Sequence, residues 1–148
     1  MYLLDTNIVS RLDPRRQGTA RDLVAWIRRN GAYLSLSVIT LTEIEAGILK
    51  LRRDGQGGRA DEYQALRQAI ETDFGERLLP VDAGVALAIA RLSEASRPAV
   101  IEWKDLIIAA TARVHGLIVL TNNLRHFEPT GVPALDPLAR LPPDAGSS

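Results

Sequence analysis

Tyr2-Leu3-Leu4-Asp5-Thr6-Asn7 is the stretch that decides the fold. Three residues with apolar side-chain bodies run straight into an acid, a hydroxyl and an amide. The run is too short for an amphipathic helix and fits a buried strand that ends in a turn or helix start. The same pattern returns at Leu117-Ile118-Val119-Leu120, followed by Thr121-Asn122-Asn123. Unbroken apolar runs of this kind suit parallel strands covered on both faces. Working outward, residues 33–37 alternate like a strand. Leu78-Leu79-Pro80-Val81 and the segment from Val132 to Leu135 read as two more short strands.

Helical spacing fills the intervals. Leu23, Trp26 and Ile27 mark a helix within 19–30, and Ile44, Ile48 and Leu51 mark the next. Residues 54–58, Asp-Gly-Gln-Gly-Gly, are expected to break it. Tyr63, Leu66, Ile70 and Phe74 share a stripe, as do Val85, Ile89 and Leu92. Residues 105–115 form an Ala/Ile-rich helix expected to be buried on several faces. The expectation is an α/β fold with a mostly parallel central sheet of about five short strands, flanked by helices. One domain is expected over 1–140, with 141–148 as a disordered polar tail.

The chain has 148 residues, 46% of them apolar and 24% charged, and no cysteine. That length supports a core without staples, and the missing thiols exclude a disulfide framework and point to the cytoplasm. The apolar start meets Asp5 at once, unlike a signal peptide, and no apolar run is long enough to span a bilayer. A net charge of zero argues against a tight, non-specific DNA binder.

Three acids stand where elements begin or end: Asp5, Glu43 in Thr40-Leu41-Thr42-Glu43, and Asp105 in Trp103-Lys104-Asp105. Each has a structural explanation of its own. Asp5 can cap the helix that follows. Glu43 completes a capping box with Thr40. Asp105 can compensate a helix dipole, and Asn122-Asn123 can be a plain turn. Taken together they describe a site. Asp5 and Thr121 would follow parallel strands, with Glu43 and Asp105 in the first turns of helices, so all would face one crevice at the strand ends. Clustered carboxylates resist ionising together unless a cation joins them. Oxygen ligands without cysteine suit Mg²⁺ or Mn²⁺. His115 and His126 have no zinc-binding spacing and read as a helix-end and a turn residue. Glu45 is expected at the surface, and Glu102 on the periphery of the site.

The chain resembles the PIN-domain nucleases, and within them the VapC-type toxins of prokaryotic toxin–antitoxin pairs. The resemblance runs from Tyr2 to about Leu138. It is carried by Leu4-Asp5-Thr6-Asn7, Thr42-Glu43-Ile44-Glu45-Ala46-Gly47, Asp105-Leu106-Ile107-Ile108-Ala109-Ala110-Thr111-Ala112 and Leu120-Thr121-Asn122-Asn123-Leu124-Arg125-His126-Phe127. It implies a PIN-like three-layer fold and a metal-dependent endoribonuclease. Asp5, Asp105 and Glu43 would be its metal ligands, and Thr6 and Thr121 would line the site. It also implies an RNA substrate, a cognate antitoxin and a homodimer, for which the apolar helix faces carrying Trp26 and Ile27, or Ile48 and Leu51, are the expected contact. The family's fourth acidic position falls on Asn123, which removes a negative charge and puts a second metal in question. Two rivals stand beside this reading. An aspartyl-phosphate phosphohydrolase would need a second acid where Asn7 stands. A non-catalytic PIN-like binding module would have a decayed site, with Asn123 as its first sign.

Overall fold

A computed structural model describes residues 1–16, 18 and 20–146. Five strands form one parallel sheet: β1 (Tyr2–Leu4), β2 (Leu34–Ser37), β3 (Leu78–Leu79), β4 (Ile118–Leu120) and β5 (Ala134–Leu135), in the order β3-β2-β1-β4-β5. β1 lies at the centre. Leu3 pairs with Ser35 of β2 on one side and with Val119 of β4 on the other. Parallel strands need crossovers, and the helices supply them. These are α1 (Thr6–Val9), α2 (Arg21–Arg29), α3 (Ile39–Arg53), α4 (Gly57–Phe74), α5 (Ala83–Ala95), α6 (Trp103–His115) and α7 (Leu124–Phe127).

The period of two in a strand divides the core. Leu4, Leu34, Leu36 and Leu120 pack with side chains of α1 to α4. Leu3 and Val119 turn the other way, against α5, α6 and Phe127. Leu3 and Leu4 are both fully buried, as a strand covered on both faces requires. This is the expected three-layer α/β arrangement.

Three local expectations change. β2 alternates Leu and Ser, yet all four residues are buried, because the strand lies inside the sheet. The chain turns at Gly55, whose φ of +77° favours glycine, but Gly57 and Gly58 already belong to α4. Tertiary packing overrides their poor helix propensity: Ala60 is fully buried and its N–H bonds Gln56 O. Trp26, Ile27 and Ile48, expected to offer a dimer face, are buried within the chain's own core.

Residues of the expected tail make contacts with the rest of the chain within 141–146. Asn30 Oδ1 accepts from Ala145 N at 2.7 Å, and Asn30 Nδ2 donates to Asp144 at 3.0 Å. Leu141 packs on the core. Residues 147 and 148, and residue 19 of the expected 19–30 helix, lie outside the described residues. No helix among the described residues is long and apolar enough to cross a membrane.

Candidate metal-dependent active site

The central position of β1 fixes the site. Asp5 follows Leu4 at the carboxyl end of the strand, and its N–H bonds Leu120 O at 2.9 Å. Its Oδ1 accepts from Thr6 N at 2.7 Å, so Asp5 does cap α1. Its Oδ2 accepts from the Thr121 hydroxyl at 2.8 Å. The capping and functional readings of Asp5 are therefore compatible. A carboxylate has about four acceptor sites, and these two bonds leave room for a cation.

Glu43 reaches the same place by another route. The capping box does not form, because α3 begins at Ile39, where the N–H bonds Ser37 Oγ at 3.2 Å. Glu43 thus sits in the second turn rather than the first. Its Oε1 accepts from the Thr6 hydroxyl at 2.8 Å. Thr6 has one proton to give, so the buried Thr40 hydroxyl, 3.0 Å away, donates to Thr6. Asp105 lies in the first turn of α6, as expected, and is buried.

One cavity of about 210 Å³ is lined by Asp5, Thr6, Glu43, Asp105 and Asn123, with Asn7, Ser10, Lys104 and His126. The structure thus brings together the acids, Asn123 and Thr6, and sets Thr121 directly behind Asp5. Asn123 presents its side chain from the start of α7, while its N–H bonds Thr121 Oγ1 at 3.0 Å. Glu45 pairs with Arg67, away from the cavity. Glu102 is exposed on the rim, 3.9 Å from Lys104.

Sequence reasoning missed two basic side chains. His126 Nδ1 donates to Asp105 Oδ2 at 3.1 Å, so His126, expected in a turn, instead lies in α7 and lines the acidic cavity. Lys104 Nζ stands 3.9 Å from Glu43 Oε2. Lys104 directly precedes Asp105, which was a signal within reach. His126 had none, since its partner is on another helix. Asn7 stands where the aspartyl-phosphate reading needs an acid. Its amide holds Asn122 N and Thr121 Oγ1, each at 3.4 Å, so no carboxylic acid stands where an aspartyl-phosphate hydrolase needs one.

Electrostatics fit a site that receives positive charge. Burial pushes the Asp5 carboxyl above its ordinary value, and the charges of Asp105 and Glu43 push the same way. The Thr121 and Thr6 bonds oppose this without cancelling it. Burial likewise raises Asp105, against the pull of His126 and Lys104. Among the described residues, no three acids or histidines are gathered closely enough to hold one ion by themselves. That donor set still fits Mg²⁺, which is bound through one or two carboxylates and keeps several waters. It does not fit an all-protein cage.

The family model for the PIN domain matches residues 2–131. The ribonuclease VapC2 of Haemophilus influenzae is 33% identical over 86% of this chain and 89% of its own. The solved structure of FitAB bound to an IR36 DNA fragment superposes with a TM-score of 0.78 at 30% identity, covering 93% of this chain and 96% of that one. A toxin–antitoxin complex from Klebsiella pneumoniae has a TM-score of 0.63 at 25% identity, covering 93% and 98%.

Proposed function

This chain belongs to the PIN-domain family, and on that premise we propose that it is a divalent-metal-dependent endoribonuclease, the toxin of a toxin–antitoxin pair. Its metal is Mg²⁺ or Mn²⁺, its substrate is RNA, and its place is the cytoplasm. The observation that carries this is the meeting of Asp5, Glu43 and Asp105 in one cavity at the carboxyl edge of the sheet. The likeness to a ribonuclease and to a toxin–antitoxin complex supports it.

Asp5 and Asp105 would hold the ion, which would supply Lewis acidity and a more acidic water. Thr121 and Thr6 N fix Asp5 in one rotamer, so no reorganisation is needed as charge develops. Thr6 in turn aims Glu43, whose carboxylate would help hold the ion or take a proton from the attacking water. His126 orients Asp105. Lys104 brings positive charge to the cavity where a phosphate arrives. Asn123 offers a carbonyl oxygen without charge, so a second ion would be held less firmly than a first.

The reading is tested in two steps. Purified protein cleaves RNA with Mg²⁺ or Mn²⁺ and stops when a chelator is added. Expressed alone in a bacterial host it arrests growth, and the neighbouring gene's product relieves the arrest. An arginine of that partner placed among the three acids would block metal and RNA together. Intact cleavage in vitro with no growth effect removes the toxin role and leaves the nuclease. No cleavage and no metal binding favours the binding-module reading.

We also propose a homodimer, as the resemblance implies. Its apolar contact must use side chains outside the core, such as Leu87 on α5, which is 57% exposed. Sedimentation at micromolar concentration is expected to give the dimer mass, and a monomer there overturns it.

A further inference from the structure

A second cavity, of about 310 Å³, opens beside the acidic one. Asp105 and His126 line both, so the two are continuous at the proposed metal ligand. The rest of the second cavity differs in chemistry, although it carries one further acid, Glu102, whose carboxylate stands 3.9 Å from Lys104 Nζ. Val100, Ile101 and Pro129 give it an apolar surface, and Val100 is 97% exposed. Arg125 gives it a cation that makes no ion pair among the described residues.

A phosphodiester joins two nucleosides, and the acidic cavity is the smaller of the two. A nucleoside flanking the bond at Asp105 therefore lies in or across the adjoining cleft. Single-stranded RNA offers unstacked bases that bind apolar and guanidinium surfaces. The Asp105 and Glu102 carboxylates repel a phosphate; Lys104 beside Glu102 screens part of that charge, and the Arg125 guanidinium offsets the rest with charge-assisted hydrogen bonds. We propose that this cleft is a nucleotide subsite. It takes the base next to the scissile phosphate of single-stranded RNA against Val100, Ile101 and Pro129, while Arg125 binds that nucleotide's own phosphate. The inference rests on the endoribonuclease reading and adds where the substrate strand runs.

The test uses the full chain and a short fluorescent single-stranded RNA, with Arg125→Ala and Val100→Asp. Both side chains are exposed, so circular dichroism should match the wild type. In chelator, each variant should bind RNA on the order of tenfold more weakly. For Arg125→Ala the logarithmic salt slope should be shallower by about 0.7, the value for one phosphate contact on a single strand. With Mg²⁺, KM should rise with kcat retained, and the preferred cleavage positions should broaden. If the wild type cleaves and the variants keep its KM, salt slope and positions, the subsite is wrong and the nuclease reading stands. A wild type that neither binds nor cleaves RNA removes both. Variants that keep RNA affinity but no longer co-purify with the neighbouring gene's product would make the cleft a protein surface, and would overturn the proposal.

Discussion

Replacing Asp5 or Asp105 by asparagine is expected to lower RNA cleavage on the order of a thousandfold while leaving the fold intact. The size follows from losing a charged group aimed at developing charge, worth roughly 10²–10³ in rate for a single donor and more when an ion goes with it. Stability should move the other way for Asp5. Burial raises its folded carboxyl value above the unfolded one, so the folded chain binds more protons. Stability then falls as pH rises from the unfolded value through the folded one, and the penalty persists at neutral pH. Asparagine carries no such penalty. It keeps the Oδ1 acceptor for Thr6 N, and the Thr121 hydroxyl can turn to accept from its amide by releasing the long 3.4 Å bond from Asn7 Nδ2. Metal-free Asp5→Asn should therefore melt at or above the wild-type temperature, with no metal heat in calorimetry. Asn123→Asp is the opposite arm. It restores a fourth carboxylate and should bind Mn²⁺ more tightly or at a second site. A cleaving Asp5→Asn, Asp105→Asn double variant would exclude the mechanism. Equal Mn²⁺ binding by Asn123→Asp and wild type would place Asn123 outside it.

What was legible in the sequence was whatever a short stretch of chain decides. Leu3-Leu4 before Asp5 and Val119-Leu120 before Thr121 need both faces of a sheet, so the strands and the residues at their ends could be read together. Asp105 in the first turn of α6 follows from one helix alone. Misreadings arose where a local signal had a competitor elsewhere. Thr40 and Glu43 match a capping box, but the Ser37 hydroxyl starts α3 earlier and frees Glu43 for Thr6. The Pro142–Ser148 tail is polar enough to be free, yet the buried Asn30 holds Asp144 and Ala145 with one side chain. His126 has no pattern to betray it, because its ring meets Asp105 only after the sheet order is set; Lys104 stands next to Asp105 in sequence, but its approach to Glu43 also depends on that order. Trp26 and Ile48 show the remaining limit: periodicity finds an apolar face but cannot say whether the chain's own core covers it.

The same long-range logic predicts the largest stability loss. Asp13 is 1% exposed and is paired with both guanidinium nitrogens of Arg59, Nη1 at 3.1 Å. Arg59 reaches across from the first turn of α4 and lies 4.6 Å above the Tyr63 ring. Arg15 N gives Asp13 a further bond at 3.2 Å. Together they fasten the segment after α1, and with it Asp5, Thr6 and Ser10, to the α3–α4 hairpin. Arg59→Ala leaves a carboxylate buried without its counter-ion, which costs about 3 kcal/mol or more. In a chain of this length that lowers Tm by roughly 10 °C. Asp13→Asn in the same background should recover part of the loss, because a neutral amide needs no counter-ion. The pH dependence gives a second check. The hydrogen bonds and charge of Arg59 hold the Asp13 carboxyl below its ordinary value despite burial. Its contribution is thus present above the unfolded value and lost as pH falls through the folded one. Wild type should lose stability over that acid window, and Arg59→Ala should lose less. Equal acid sensitivity in the two proteins, or a double variant no better than Arg59→Ala, would mean that the pair does not hold this segment in place.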